Sequence, residues 1–275
     1  MDGENSKISN SYLLRNLSMT TNKENFGGGA YMIQGTGYNL VVANNRCDKG
    51  ICRGGGIFLE SAKFYNNTIA YNMATNGTGI YHWQDDKTGV ESQLSLYNCI
   101  IYDNYDNSNN RSVTDQVNSA ASDKMNPSHN CYMNSSDLSN KFQESDGNFT
   151  GTKAQAFPFE DQTYESGDNF RFRNARLKNN FRLNEADGLA GNKCLNGGTT
   201  NVGNGIILPE TDMDYTNRIK DCAIDIGAYE ADNTTNIAPQ EKTNSANIKD
   251  YIYYVTQNGW GNRSGDSPEN AACAD

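Results

Sequence analysis

Polar and apolar positions along this chain fall into a phrase written four times: Asn10-Ser-Tyr-Leu-Leu-Arg-Asn16, Tyr38-Asn-Leu-Val-Val-Ala-Asn44, Asn66-Asn-Thr-Ile-Ala-Tyr-Asn72 and Asn98-Cys-Ile-Ile-Tyr-Asp-Asn104. The closing asparagines set a period. From Asn16 to Asn44 and from Asn44 to Asn72 the step is 28 residues, and from Asn72 to Asn104 it is 32, which is the range of solenoid repeats. A second phrase falls midway between the first: Gly27-Gly-Gly-Ala-Tyr31, Gly54-Gly-Gly-Ile-Phe58 and Gly77-Thr-Gly-Ile-Tyr81. Each repeat therefore predicts at least two short apolar strands with glycine corners, which is one coil of a parallel β-helix.

Aligning the coils predicts where side chains point. Leu13, Val41, Ile69 and Ile101 form one aliphatic column, expected inside the coil. Alternation puts Cys99 inside as well, and a fifth phrase, His129-Asn-Cys131-Tyr-Met133, lies 32 residues on, so Cys99 and Cys131 are expected to stack on adjacent coils. In the glycine phrase Ala30, Ile57 and Ile80 face inward. Tyr31, Phe58 and Tyr81 then form an outward aromatic column, with Ile33, Glu60 and Trp83 extending the same face. Asn16, Asn44, Asn72 and Asn104 are expected at left-handed corners, each amide bonded to the next, as a structural ladder and not a ligand site.

The rhythm loosens from Tyr105 to Asn169 into Asn-, Ser- and Asp-rich text, read as long loops on irregular coils that continue the helix. After Glu230 a polar linker, 231–247, carries no apolar period. Tyr251-Ile-Tyr-Tyr-Val255 signals a new strand, so 248–275 is expected to begin a further β-helix unit or to fold back on the first. The helix itself is assigned to 1–230. Because its first phrase opens at Asn10, earlier coils and an export signal are expected upstream.

The 26 glycines and 5 prolines of the 275-residue chain suit many tight corners and few long helices. No apolar run approaches the roughly 18 residues of a membrane span. A net charge of −10 argues against nucleic acid as a partner, since binding there rests on neutralised phosphates. The one basic run, Arg171-Phe-Arg173-Asn-Ala-Arg176-Leu-Lys178 followed by Arg182, reads as a solvated strand face. The seven cysteines fit no regular disulfide framework and no zinc pattern. Two pairings are plausible on spacing, Cys47 with Cys52 around a small loop and Cys194 with Cys222 in the terminal segment.

The passage Leu208-Pro-Glu-Thr-Asp212-Met-Asp214-Tyr-Thr-Asn-Arg218, followed by Asp225-Ile-Gly-Ala-Tyr-Glu230, resembles the closing text of right-handed parallel β-helix, pectate-lyase-like surface proteins of bacteria. Tyr215 stands where that family usually has Gly, which puts the tight turn after Asp214 in question. The resemblance implies an all-β fold, a single-stranded right-handed parallel β-helix with long loops in its C-terminal coils. It also implies export to the cell surface as part of a larger multi-domain protein. It implies no single activity, because this fold carries lyases, hydrolases and adhesive stalks alike.

For catalysis, Arg53 and Glu60 share one coil and His82, Asp85 and Asp86 the next, but Glu60 aligns beneath Trp83, no column stacks two acids, and His82 and His129 fall on strand positions where packing or a hydrogen bond is the commoner role. The favoured reading is a cell-surface scaffold or adhesin whose ligand-binding residues are Tyr31, Phe58, Tyr81 and Trp83, an aromatic platform on which sugar rings of an extracellular glycan or host surface stack. The alternative is a polysaccharide lyase or glycoside hydrolase acting on acidic glycans. No cofactor is required. Asp212, Asp214 and Asn217 have the alternating oxygens of a calcium loop, yet lack its glycine and closing Glu, and turn capping with pairing to Arg218 is the simpler expectation.

Overall fold

The computed structural model describes residues 6–19, 24–84, 91–106, 116–133, 141–151, 159, 181–185, 192–202, 206–220, 223–231, 240–242, 253–256 and 272–273. In chain order the solenoid strands are β1 (Lys7–Leu14), β2 (Leu17–Met19), β3 (Glu24–Phe26), β4 (Ala30–Ala43), β5 (Arg46–Asp48), β6 (Ile51–Arg53), β7 (Ile57–Tyr65) and β8 (Thr68–Ala70), then β9 (Ile80–His82), β10 (Gln93–Tyr97), β11 (Ile100–Tyr102), β12 (Val117–Ser119), β13 (Met125–Ser128), β14 (Cys131–Met133) and β15 (Phe149–Gly151). Every pairing among these strands is parallel. The result is an all-β parallel solenoid of about four turns.

Three corners repeat in each full coil, and left-handed backbone makes each of them. The first carries Asn10, Asn39, Asn66, Asn98 and His129, with φ between 47° and 53°. The second carries Arg15, Asn44, Tyr71 and Asp103, and the third Gly27, Gly54 and Gly77. Glycine is required at the third for a second reason: a Cβ on Gly54 would lie 2.4 Å from the Ile57 carbonyl oxygen. Asparagine tolerates the left-handed well better than other L-residues, and the first corner uses it almost throughout.

The interior column runs Leu13, Val42, Ile69, Ile101, one residue away from the sequence alignment at the second coil. Val41 lies on the opposite face, in register with Tyr12 and Thr68. The phrase of that coil therefore runs from Asn39 to Asn45, not from Tyr38 to Asn44. The same slip corrects the ladder. Asn16, Asn45, Asn72 and Asn104 form it, while Asn44 is the left-handed residue one step before. The Oδ1 of Asn72 accepts from both the backbone N–H and the side-chain amide of Asn45, at 3.0 and 2.9 Å, and the Oδ1 of Asn104 does the same for Asn72, at 2.9 Å each. Gln116 closes the series, accepting from Asn104. Corner and rung are separate residues because a side chain leaving a left-handed residue points away from the coil, whereas the next points in.

Cys99 and Cys131 do not stack. Ile100 pairs with Cys131, and Cys99 is held by Asn130, whose Oδ1 accepts its N–H at 2.9 Å. Cys99 therefore belongs to the interior core with Val42, Ile69, Ile80, Leu96 and Ile101, and Cys131 to a second core on the outer face.

That second core is where the C-terminal passage goes. The described residues from 181 to 231 add no strand to the solenoid. They lie across the outer face of β4, β8, β11 and β14, where Phe181, Leu183, Cys194, Met213, Ile226, Ala228 and Tyr229 bury Val41, Ala43, Ala70, Ile100 and Tyr102. Among the described residues the solenoid strands run to Gly151, and those from 181 to 231 form a clasp folded over one side. Farther on, β16 (Gln240–Lys242), β17 (Tyr253–Thr256) and β18 (Ala272–Cys273) form a separate small sheet, antiparallel then parallel. The basic run 171–178, Asp85 and Asp86, and Cys222 lie outside the described residues. No described helix is long and apolar enough to cross a membrane.

Candidate functional site

The aromatic column exists as a stack. Tyr31 lies 5.1 Å from Phe58 and Phe58 lies 5.6 Å from Tyr81, with interplanar angles of 8° and 2°, and Trp83 follows at 6.2 Å. Parallel register causes this, since Tyr31, Phe58 and Tyr81 pair directly from β4 through β7 to β9. It is not an open platform, however. Tyr31 is 48% exposed, but Phe58 and Tyr81 are only 3% and 8% exposed. Phe26 packs on Phe58 at 4.7 Å, and the Arg53 guanidinium sits over the rings of Tyr81 and Trp83 at 5.6 and 5.3 Å. Arg53 is itself held by Glu24 at 2.9 Å. A covered stack of this kind contributes to stability, at about 0.5–1.5 kcal/mol per aromatic pair, and offers little face to a sugar.

Asp212 and Asp214 are used by the fold. Asp212 is fully buried, and its Oδ1 accepts from the backbone N–H groups of Asp214 and Thr216 at 2.9 and 2.8 Å. Its Oδ2 accepts from the N–H of Glu230 at 2.9 Å. Asp214 pairs with Arg182, not with Arg218. Tyr215 takes the left-handed conformation, φ 64°, that a glycine would take more easily, so the turn forms in spite of the side chain.

Arg218 has a different partner. It is fully buried, pairs with Glu230 at 2.7 Å, and donates to the carbonyl oxygens of Gly227 and Ala228 and to Oδ1 of Asn39. Asp225 accepts from the N–H groups of Asn196 and Ala231 at 2.6 and 2.7 Å. Burial pushes the Asp225 carboxyl up to about 6 and Glu230 well above the usual carboxylate range. The Asp-Ile-Gly-Ala-Tyr-Glu passage is therefore a fastening. The clasp as a whole attaches at the first corner: Asn39 donates to the Thr211 carbonyl at 2.7 Å, Asn98 exchanges two 2.8 Å bonds with Thr199, and Gly227 donates to the Asn98 carbonyl at 2.8 Å.

His82 is fully buried between two serines, Nδ1 2.8 Å from Ser119 Oγ and Nε2 2.8 Å from Ser92 Oγ, with the Glu60 carbonyl at 3.1 Å. Ser92 Oγ also reaches the carbonyls of Glu60 and Trp83. This network links β9 to Ser92 and to Ser119 of β12. His129 occupies a corner beside Gly147, and burial holds its imidazole below the ordinary histidine range. No group of three or more metal-ligating side chains occurs among the described residues.

The described cleft of note lies elsewhere, a groove of about 800 Å³ on the outer face of β1, β4, β7 and β10. Its floor is made of outward columns fixed by the parallel register. Lys7, Thr36, Lys63 and Ser95 form one, and Gln34, Ser61 and Gln93 another. Beside the floor runs a third column, Tyr38, Tyr65 and Tyr97, of which Tyr38 and Tyr65 reach the groove and stack at 5.1 Å with a 5° interplanar angle, while Tyr65 and Tyr97 are themselves buried. The strap 206–210 lies against these tyrosines through Ile206 and Leu208, and Val202 packs beside it. Glu91 and Glu210 complete the lining. Two rungs separate Lys7 from Lys63, roughly 10 Å at the usual strand spacing. Sequence reading missed this site, although a signal was present: Tyr precedes the corner Asn in three coils, at Tyr38-Asn39, Tyr65-Asn66 and Tyr97-Asn98. No family model matches the chain, and neither the curated proteins nor the solved structures contain a significant match to it.

Proposed function

We propose that this protein is an exported bacterial cell-surface solenoid, a right-handed parallel β-helix of the pectate-lyase-like kind, that acts as a scaffold or adhesin and binds carbohydrate in the groove between the strap 206–210 and the Lys7–Lys63 column. The observation that carries this reading is the lining of one cleft by rows of amides and hydroxyls, two lysines, the half-buried ring of Tyr38 and the apolar strap residues Ile206 and Ile207. Sugar rings present an apolar face to stack and a polar edge to hydrogen-bond, and a groove lined in this way suits both. The lysines favour glycans that carry carboxylate or sulfate groups, in a chain that is otherwise strongly acidic. Binding is the favoured role, and a polysaccharide lyase or glycoside hydrolase acting on acidic glycans is the alternative.

The test is a glycan array probed with the wild-type chain and with Lys63→Ala, Gln93→Ala and Tyr31→Ala variants, with and without calcium. Lys63→Ala and Gln93→Ala are expected to weaken binding at least about tenfold, a loss of about 1.4 kcal/mol, while Tyr31→Ala leaves it unchanged. An array with no bound glycan, or binding lost only in Tyr31→Ala, refutes the groove. Release of unsaturated oligosaccharides by the wild type would instead establish a lyase.

A further inference from the structure

Two buried thiols meet where the clasp crosses the solenoid. Cys131 belongs to β14 and pairs in register with Ile100 and Phe149 on its two neighbouring strands. Cys194 belongs to the clasp, 63 residues later in the chain. It is positioned by its own backbone, whose N–H donates to Asn192 Oδ1 at 3.1 Å and whose carbonyl accepts from Ile226 at 2.9 Å. Both side chains are buried in the same apolar cluster, with 2% and 0% exposure. They are close enough for the thiols to hydrogen-bond, and burial together with that contact holds the Cys194 thiol above its usual range.

We propose that Cys131 and Cys194 are a disulfide site, and that their oxidation covalently staples the clasp to the outer face of the solenoid. Spacing alone suggests Cys222 as the partner of Cys194, whereas the packing presents Cys131. The bond forms as the clasp docks, while the thiols are still accessible. One thiolate attacks a small disulfide such as oxidised glutathione, releasing one glutathione thiolate, and the second thiolate then attacks the protein sulfur of the mixed disulfide and expels the other glutathione thiolate. Two protein thiols become one protein disulfide, and the small disulfide is reduced to two thiols, so electrons and protons balance. Once closed, the bond is shielded from reductants by the same burial. A closed loop of this length restricts the unfolded chain far more than the short loop between Cys47 and Cys52, whose thiols also touch within a separate buried cluster.

The experiment refolds the whole chain in a glutathione redox buffer and, in parallel, in excess reductant. Each product is alkylated and digested without reduction, and cross-linked peptides are mapped by mass spectrometry. A peptide joining Cys131 to Cys194 is expected from the oxidised sample alone. Its formation should raise Tm by on the order of 10 °C, and the increment should vanish in Cys194→Ala. Because the wild-type map needs no variant to fold, loss of folding in Cys194→Ala does not remove the test. A cross-link from Cys194 to Cys222, or full alkylation of Cys131 and Cys194 in oxidised, folded protein, overturns the assignment.

Discussion

The guanidinium of Arg218 donates to the side chain of Asn39, 179 residues earlier in the chain. This contact joins a fully buried clasp cation to a corner of the second coil, and Glu230 balances its charge from the same clasp. Removing one member of a buried ion pair leaves the other charge uncompensated, at a cost of about 3–5 kcal/mol. Arg218→Met is therefore expected to lower the unfolding free energy by that amount in urea titration. Arg218→Met combined with Glu230→Gln should recover part of the loss. An additive double variant would show that the two residues are not coupled.

The two asparagine columns should respond differently. Asn72 joins rungs above and below and also donates to the Val42 carbonyl at 2.8 Å, so Asn72→Ala leaves several buried groups without partners. A global loss of about 3 kcal/mol or more is expected, read as a lower denaturation midpoint. Asn98→Gly keeps the left-handed corner but loses the Thr199 contacts. Hydrogen exchange should then accelerate in 192–202 while the strands β8 and β11 keep their protection. Equal acceleration everywhere would contradict a separate docking role.

Tyr215 is 73% exposed and left-handed, so its side chain strains the turn without packing in return. Tyr215→Gly should stabilise the protein by up to about 1 kcal/mol. Thermal unfolding provides the measurement, and a lowered Tm would mean that the tyrosine makes contacts that outweigh its backbone strain.

Asp225 links the clasp to pH. Burial raises its carboxyl to about 6, so the folded chain holds this proton more tightly than the unfolded chain does. The contribution of this group to stability is therefore full below the ordinary carboxylate range and declines as pH rises to about 6. Between pH 7 and pH 5 the wild type should gain about 1 kcal/mol relative to Asp225→Asn. A constant difference between the two proteins across that interval would contradict the raised pKa.

Much of this architecture was legible in the repeats. The inward column Ala30, Ile57, Ile80 and the stack Tyr31, Phe58, Tyr81 lie in the predicted register, because glycines on the preceding corner leave only one alignment. The second coil slipped by one residue because Asn44 and Asn45 are chemically identical, and only backbone conformation distinguishes corner from rung. Cys99 and Cys131 separated for the same reason, the true step there being set by Asn98 and His129.

The sequence by itself determined the parallel winding and the inward faces, because side chains alternate along a strand and matched repeats stack with fixed spacing. Which outward faces stay open was decided only by the tertiary structure. Arg53 and Phe26 close over one aromatic column, the clasp closes over β8 and β11, and the strap 206–210 packs on the tyrosine column and walls the groove beside it. Each of these depends on contacts between residues far apart in the chain, formed where apolar area and buried polar groups find partners, and no local periodicity encodes that choice.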